Sequence, residues 1–106
     1  TIYCNPKENQ KEKINLEETH KLYSDFYKDE FFVNVLPLGD IASIKDVRYT
    51  NNCNISLHLN HRKDGFIIVS AIDNMVKGAA GQAIQNMNIV CGFNENEGIA
   101  LVSPGH

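Results

Sequence analysis

Tryptophan is absent from this sequence of 106 residues, and cysteine and proline are scarce, with three of each. Cys4, Cys53 and Cys91 are odd in number and widely spaced, with no CxxC and no Cys/His cluster of metal-ligand spacing. A disulfide scaffold and a structural zinc site are therefore excluded, and the three cysteines read as reduced thiols, small hydrophobes in apolar or strand-like surroundings. The four histidines are as scattered, and none has the context that activates a Cys/His catalytic pair. No excess of basic charge exists, since the net charge is −3; the electrostatic footprint of a nucleic-acid binder is missing. No apolar run approaches the roughly 20 residues of a membrane span, and no signal peptide opens the sequence. The expectation is a cytoplasmic protein with no nucleic-acid or membrane partner.

Length sets a further bound. The chain holds one domain, residues 1–106, with a modest core, and is too short for a dinucleotide-binding domain plus a catalytic one. It opens without methionine, on Thr1-Ile2-Tyr3-Cys4, which reads as the remainder of a strand and so as part of something longer. Repeats, low-complexity segments and internal domain boundaries are lacking.

The most informative stretch is Ser70 to Gly92, SAIDNMVKGAAGQAIQNMNIVCG. The apolar run Phe66-Ile67-Ile68-Val69 before it suits a buried strand. Val76, Ala80, Ala83, Ile84, Met87 and Cys91 then recur at intervals of three and four, which predicts a helix over about residues 75–91 with these side chains as its apolar stripe. Asp73 and Asn74 stand where a side-chain oxygen caps a helix start, and Gly92 where a helix stops. Gly78-Ala79-Ala80-Gly81 removes side-chain bulk at a cost of roughly 1 kcal/mol of helix propensity per glycine, so another backbone or a ligand comes close there.

Elsewhere the pattern is plainer. Asn5 to Lys13 is polar and reads as a solvated loop. Asn15, with Glu18 three residues on, predicts a helix start, and Leu16, Leu22, Tyr23, Phe26 and Tyr27 form a core-facing stripe. Phe31 to Leu36 predicts a strand ended by Pro37 and Gly39. Asp40 to Asn52 has no clean period and reads as a loop carrying Lys45 and Arg48. Cys53 to Asn60 alternates apolar and polar, predicting a strand with one exposed face on which His58 is a plain surface histidine. Asp64-Gly65 predicts a hairpin turn with a positive φ, returning the chain along Phe66 to Ala71. The tail from Phe93, with Pro104 and Gly105, should lie over the surface. The sum is an α+β domain: an antiparallel or mixed sheet with helices packed on one face.

The segment SAIDNMVKGAAGQAIQNMN, followed by GFNENEGI, closely resembles the C-terminal end of N-acetyl-gamma-glutamyl-phosphate reductases. Aspartate-semialdehyde dehydrogenases share a shorter DN-x-x-KGAA run, and Gln82 to Asn88 favours the first family. The chain also keeps Lys45, Arg48, Asn51 and Cys53 of that family's basic loop, but has Ala42, Ile44 and Tyr49 where the family usually has Pro, Thr and Gly. The resemblance implies a piece of the C-terminal substrate and oligomerisation domain of an NADPH-dependent enzyme of arginine biosynthesis, of the glyceraldehyde-3-phosphate dehydrogenase-like fold. It further implies that the whole enzyme takes N-acetylglutamyl phosphate to the semialdehyde through a nucleophilic cysteine and an assisting histidine that precede this piece, so no catalytic residue and no metal ligand is expected within it. Lys45 and Arg48 become candidates for holding the acyl phosphate. Asn74, Gly78, Ala79 and Gly81 become candidates for contact with the nicotinamide end of NADP, most of which the enzyme's own N-terminal domain would bind. A homo-oligomer is implied. The alternatives are a C-terminal domain of aspartate-semialdehyde dehydrogenase and a non-catalytic dimerisation module of the same fold.

Overall fold

The computed structural model describes residues 1–7 and 15–103. Most of the predicted polar loop before Asn15 and the end of the tail, with Pro104 and Gly105, lie outside the described residues. Four strands form one mixed sheet: β1 (Ile2–Cys4), β2 (Val33–Val35), β3 (Cys53–Leu59) and β4 (Phe66–Ile72), in the order β1-β4-β3-β2. β3 and β4 pair antiparallel over their whole length, Cys53 opposite Ile72 and Leu59 opposite Phe66. β1 adds antiparallel to β4, while β2 runs parallel to β3. A parallel neighbour needs a crossover, and here Leu36 to Asn52 supplies it, including the short helix α2 (Ile44–Val47).

The alternation of β3 does not leave one face in water. Ile55 and Leu57 pack with Ile68 under α1 (Leu16–Tyr27), and the opposite face, with Ser56 and Asn54 also buried, is covered by Ala42 and Val47 against Ala71. The 40–52 stretch, expected to be an open loop, is thus a lid on the sheet, pinned where Ala42 N donates to Ser56 Oγ at 2.9 Å. His58 is correspondingly half-buried, with Nε2 2.9 Å from the same hydroxyl, and is no plain surface histidine.

α1 begins as expected, with Asn15 Oδ1 accepting from Glu18 N at 3.1 Å. Its stripe is only partly inward: Leu16, Tyr23 and Tyr27 reach the core, but Leu22 and Phe26 are exposed. The hairpin at Asp64-Gly65 forms, yet the positive φ belongs to Lys63 (59°). Gly65 serves close approach instead, since a Cβ there would lie 2.8 Å from the Cys4 carbonyl oxygen of β1. The cysteines are free, but Cys4 and Cys53 are only partly buried and Cys91 is exposed.

Candidate functional site

The predicted helix over 75–91 is two pieces. Val76–Ala80 is a π-helical turn, and α3 (Gly81–Val90) follows across a break at Ala79 (φ −144°, ψ −107°). The wide turn shows in its bonds, with Gly78 N donating to Asp73 O and Gly81 N to Val76 O, each five residues back. Such single turns occur frequently at functional sites. Gly92 (φ +74°) ends α3 as expected: Gly92 N donates to Ile89 O and Phe93 N to Asn88 O, a Schellman closure.

The faces of α3 are inverted relative to its sequence pattern. Buried or half-buried are Gly81, Gln85 and Asn88, whereas Ile84, Met87 and Cys91 of the apolar stripe are exposed, as are Ile89 and Val90. The inner face is held by amides. Asn51 Nδ2 donates to Gln85 Oε1 at 2.9 Å, Lys77 Nζ donates to the same oxygen, and Gln85 Nε2 donates to Glu95 Oε1 at 2.7 Å. Asn88 Nδ2 donates to the Glu95 and Glu97 carbonyls, fastening a tail segment that also buries Ile99. Lys77 lies 5.2 Å from the centroid of the Phe32 ring, and burial holds its ammonium below the usual lysine range against the raising influence of Cys53 and Glu95.

The candidate residues divide along this geometry. Gly81 is on the inner face, where a Cβ would lie 2.7 Å from Val76 O and collide with Asn51 Oδ1, so its smallness already serves packing within the chain. Gly78 and Ala79 face outward and are exposed. Asn74 is exposed too, and its Oδ1 would lie 2.9 Å from a Cβ on Gly78. The capping at this junction belongs to Asp73, whose Oδ1 accepts from Met75 N at 2.8 Å and Val76 N at 3.2 Å. That leaves the Asn74 amide, with no hydrogen bond to another described residue, as an outward donor and acceptor beside two residues without bulk. An amide so placed can donate and accept at once, and Gly78 and Ala79 leave the backbone beside it uncovered by side chains.

Lys45 sits in α2 and Arg48 just after it, both exposed. Val47 between them is fully buried and anchors the pair to the sheet. Tyr49, which stands where glycine is usual in the family resembled, keeps a left-handed backbone (φ 62°), and Arg48 Cζ lies 5.9 Å from its ring centroid. The basic turn and the small-residue turn are joined: Tyr49 N donates to Asp73 Oδ2 at 2.7 Å. The lowering of the Asp73 carboxyl below the usual aspartate range comes first from the Tyr49 N–H, then from that of Met75, which together outweigh the raising effect of burial, with smaller help from Val76 N–H and the Arg48 charge. Sequence reasoning gave Asp73 a capping role and missed this second bond, for which no local spacing could speak. Among the described residues no group of three or more His, Cys, Asp or Glu could hold a metal ion.

A mixed sheet whose crossover lid carries a basic turn, tied to a small-residue turn ahead of a helix, is the frame into which comparison with known proteins fits. The sequence family described as "Semialdehyde dehydrogenase, dimerisation domain" matches residues 1–74, and the chain belongs to that family. Among curated proteins it is 73% identical to the N-acetyl-gamma-glutamyl-phosphate reductase of Clostridium botulinum (strain Alaska E43 / Type E3), over 98% of this chain and 29% of that protein. The enzyme of the same name from Clostridium beijerinckii is 71% identical over the same shares, and that from Brachyspira hyodysenteriae 57% identical over 86% of this chain and 26% of its own length. The chain thus spans less than a third of the length of these relatives. No helix among the described residues is long and apolar enough to cross a membrane.

Proposed function

We propose that this chain is the substrate-side and dimerisation portion of an NADPH-dependent N-acetyl-gamma-glutamyl-phosphate reductase, acting in the cytoplasm in arginine biosynthesis as a homo-oligomer. The observation that carries the reading is likeness to reductases of that name across 98% of the chain, a span that includes both the basic turn and the turn after Asp73. Lys45 and Arg48 hold the anionic groups of the acyl phosphate, because an acyl phosphate with a carboxylate needs paired cationic donors. Asn74 holds the carboxamide of the nicotinamide, with Gly78 and Ala79 leaving room for the ring, and Gly81 supports the turn from behind by admitting Asn51. NADPH supplies the hydride of the reduction when bound. The exposed apolar face of α3 packs on the enzyme's own N-terminal, nucleotide-binding domain.

The test uses the full-length protein with N-acetylglutamate semialdehyde, phosphate and NADP+, beside aspartate semialdehyde as competitor substrate. Turnover of the acetylated substrate in preference to the other is expected, and its absence would overturn the assignment. Residues 1–106 by themselves are expected to be inactive. Turnover by this piece that disappears on changing Cys4, Cys53 or Cys91 to Ser would show the active site to be misplaced.

A further inference from the structure

Asp73 has two oxygens and uses them on different elements. Oδ1 accepts from Met75 and Val76 N–H at the start of the π-helical turn, which is the whole of a capping function. Oδ2 accepts from Tyr49 N, 24 residues earlier in the chain, at 2.7 Å. An asparagine would cap as well through its one oxygen, but its Nδ2 would then face the Tyr49 N–H as donor against donor. The carboxylate is therefore explained by the second bond and not by the first.

What that bond fixes is a residue in an uncommon conformation. Tyr49 is a bulky residue at φ 62°, a region L side chains seldom adopt. Its N–H is held by Asp73, the residue is 62% exposed, and its ring lies beside the Arg48 guanidinium. Holding the N–H of 49 holds the peptide that joins Arg48 to Tyr49, and with it the direction in which the Arg48 side chain leaves the backbone.

We infer that Asp73 is a positioning residue for the substrate: through Tyr49 it sets the Arg48 turn against the start of the Asn74 turn, so that acyl-phosphate and cofactor contacts keep one relative placement. This rests on the function proposed above. Asp73 touches neither reactant. Its effect falls on the substrate, since the cap that orders Met75 and Val76 survives in Asp73→Asn.

The experiment uses the full-length enzyme with Asp73→Asn, Tyr49→Gly and the double variant. In Asp73→Asn, KM for the acyl phosphate should rise about tenfold, the equivalent of one lost charge-assisted hydrogen bond, while the Kd of NADPH stays within about twofold of wild type. Amide hydrogen exchange of the peptide covering residues 44–50 should accelerate, with that covering 75–81 unchanged. Glycine adopts positive φ without strain but supplies no acceptor for the N–H at position 49, so exchange at 44–50 in the double variant should stay as fast as in Asp73→Asn; protection restored to the wild-type level by Tyr49→Gly would overturn the inference. An unchanged KM, or a rise in the NADPH Kd as large as that in KM, overturns the inference, as does unchanged exchange at 44–50. A wild-type enzyme without reductase activity would overturn the proposed function and the substrate role together, whereas exchange at 44–50 still decides whether Asp73 holds Tyr49.

Discussion

At the scale of single residues, the site turns on which polar atoms the chain satisfies by itself and which it leaves outward. Asp73 is fully engaged and Asn74 is not, so substituting the second should touch function without touching the fold. Asn74→Asp in the full-length enzyme should leave the melting temperature unchanged, because Asp73 does the capping, and should raise KM for NADPH, because a carboxylate cannot donate to the carboxamide oxygen. An unchanged KM would remove Asn74 from the cofactor site. Arg48→Ala should lower kcat/KM by one to two decades, the loss of a charge-assisted contact worth roughly 1.5–3 kcal/mol. Retained folding by circular dichroism separates this outcome from a structural role. The depressed carboxyl of Asp73 gives a pH signature as well. A folded-state pKa below the unfolded value contributes stability that is present above the ordinary aspartate range and is lost as pH falls through the lowered value. The melting temperatures of wild type and Asp73→Asn should therefore differ at neutral pH and converge as pH drops below about 4.

At the scale of elements, Gly78 in the π-helical turn and Gly81 at the start of α3 separate by the atoms a methyl group would meet. At Gly81 it would meet the Val76 carbonyl, which is backbone and cannot retreat, so Gly81→Ala should destabilise by about 1–3 kcal/mol, as overpacking does. At Gly78 it would meet the end of the Asn74 side chain, which can swing away. Gly78→Ala should then change stability by less than about 1 kcal/mol yet raise KM for NADPH, since Asn74 is displaced and the space beside it is filled. Thermal melts and cofactor titrations check both. The same stretch shows how far sequence could be read. The stop at Gly92, the capping by Asn15 and the four strands were legible because each depends on neighbours in the chain. The inverted face of α3 was not: Gln85 and Asn88 are inside because Asn51, 34 residues from Gln85, and Lys77 and the backbone at Glu95 and Glu97, in the turn before the helix and the tail after it, offer partners that no helical spacing announces. For the same reason Asp73 could be read as a cap but not as a bond to Tyr49, and the closed lid over β3 could not be seen in a stretch without period. Gly65 was recognised as a turn residue for its φ, whereas the structure uses its lack of a Cβ against β1.

At the scale of the whole molecule, the described residues leave apolar surface where a self-contained domain would hide it. On α3 and its flanks Met75 is 79% exposed, Val90 85% and Phe93 58%. Within α3 itself Ile84, Met87 and Val90, all exposed, recur every three residues and so share one side of the helix; an exposed apolar face of this kind is one that another surface covers, and the proposed occupant is the N-terminal domain of the full-length enzyme. Val90 makes the decisive position because it contributes almost nothing inside this chain. Val90 is the last residue of α3, where the helix dipole disfavours a carboxylate by about 0.3–1 kcal/mol, so Val90→Asp should cost no more than that if α3 faces water in the whole protein. If the face is covered, the same change places an unpaired carboxylate in an apolar contact, at a cost of several kcal/mol. In full-length protein Val90→Asp is accordingly expected to lower the melting temperature by several degrees, or to split one thermal transition into two as the domains part. A single transition shifted by no more than the helix-dipole cost of about 1 kcal/mol would show that α3 is solvated and that the nucleotide-binding domain docks elsewhere.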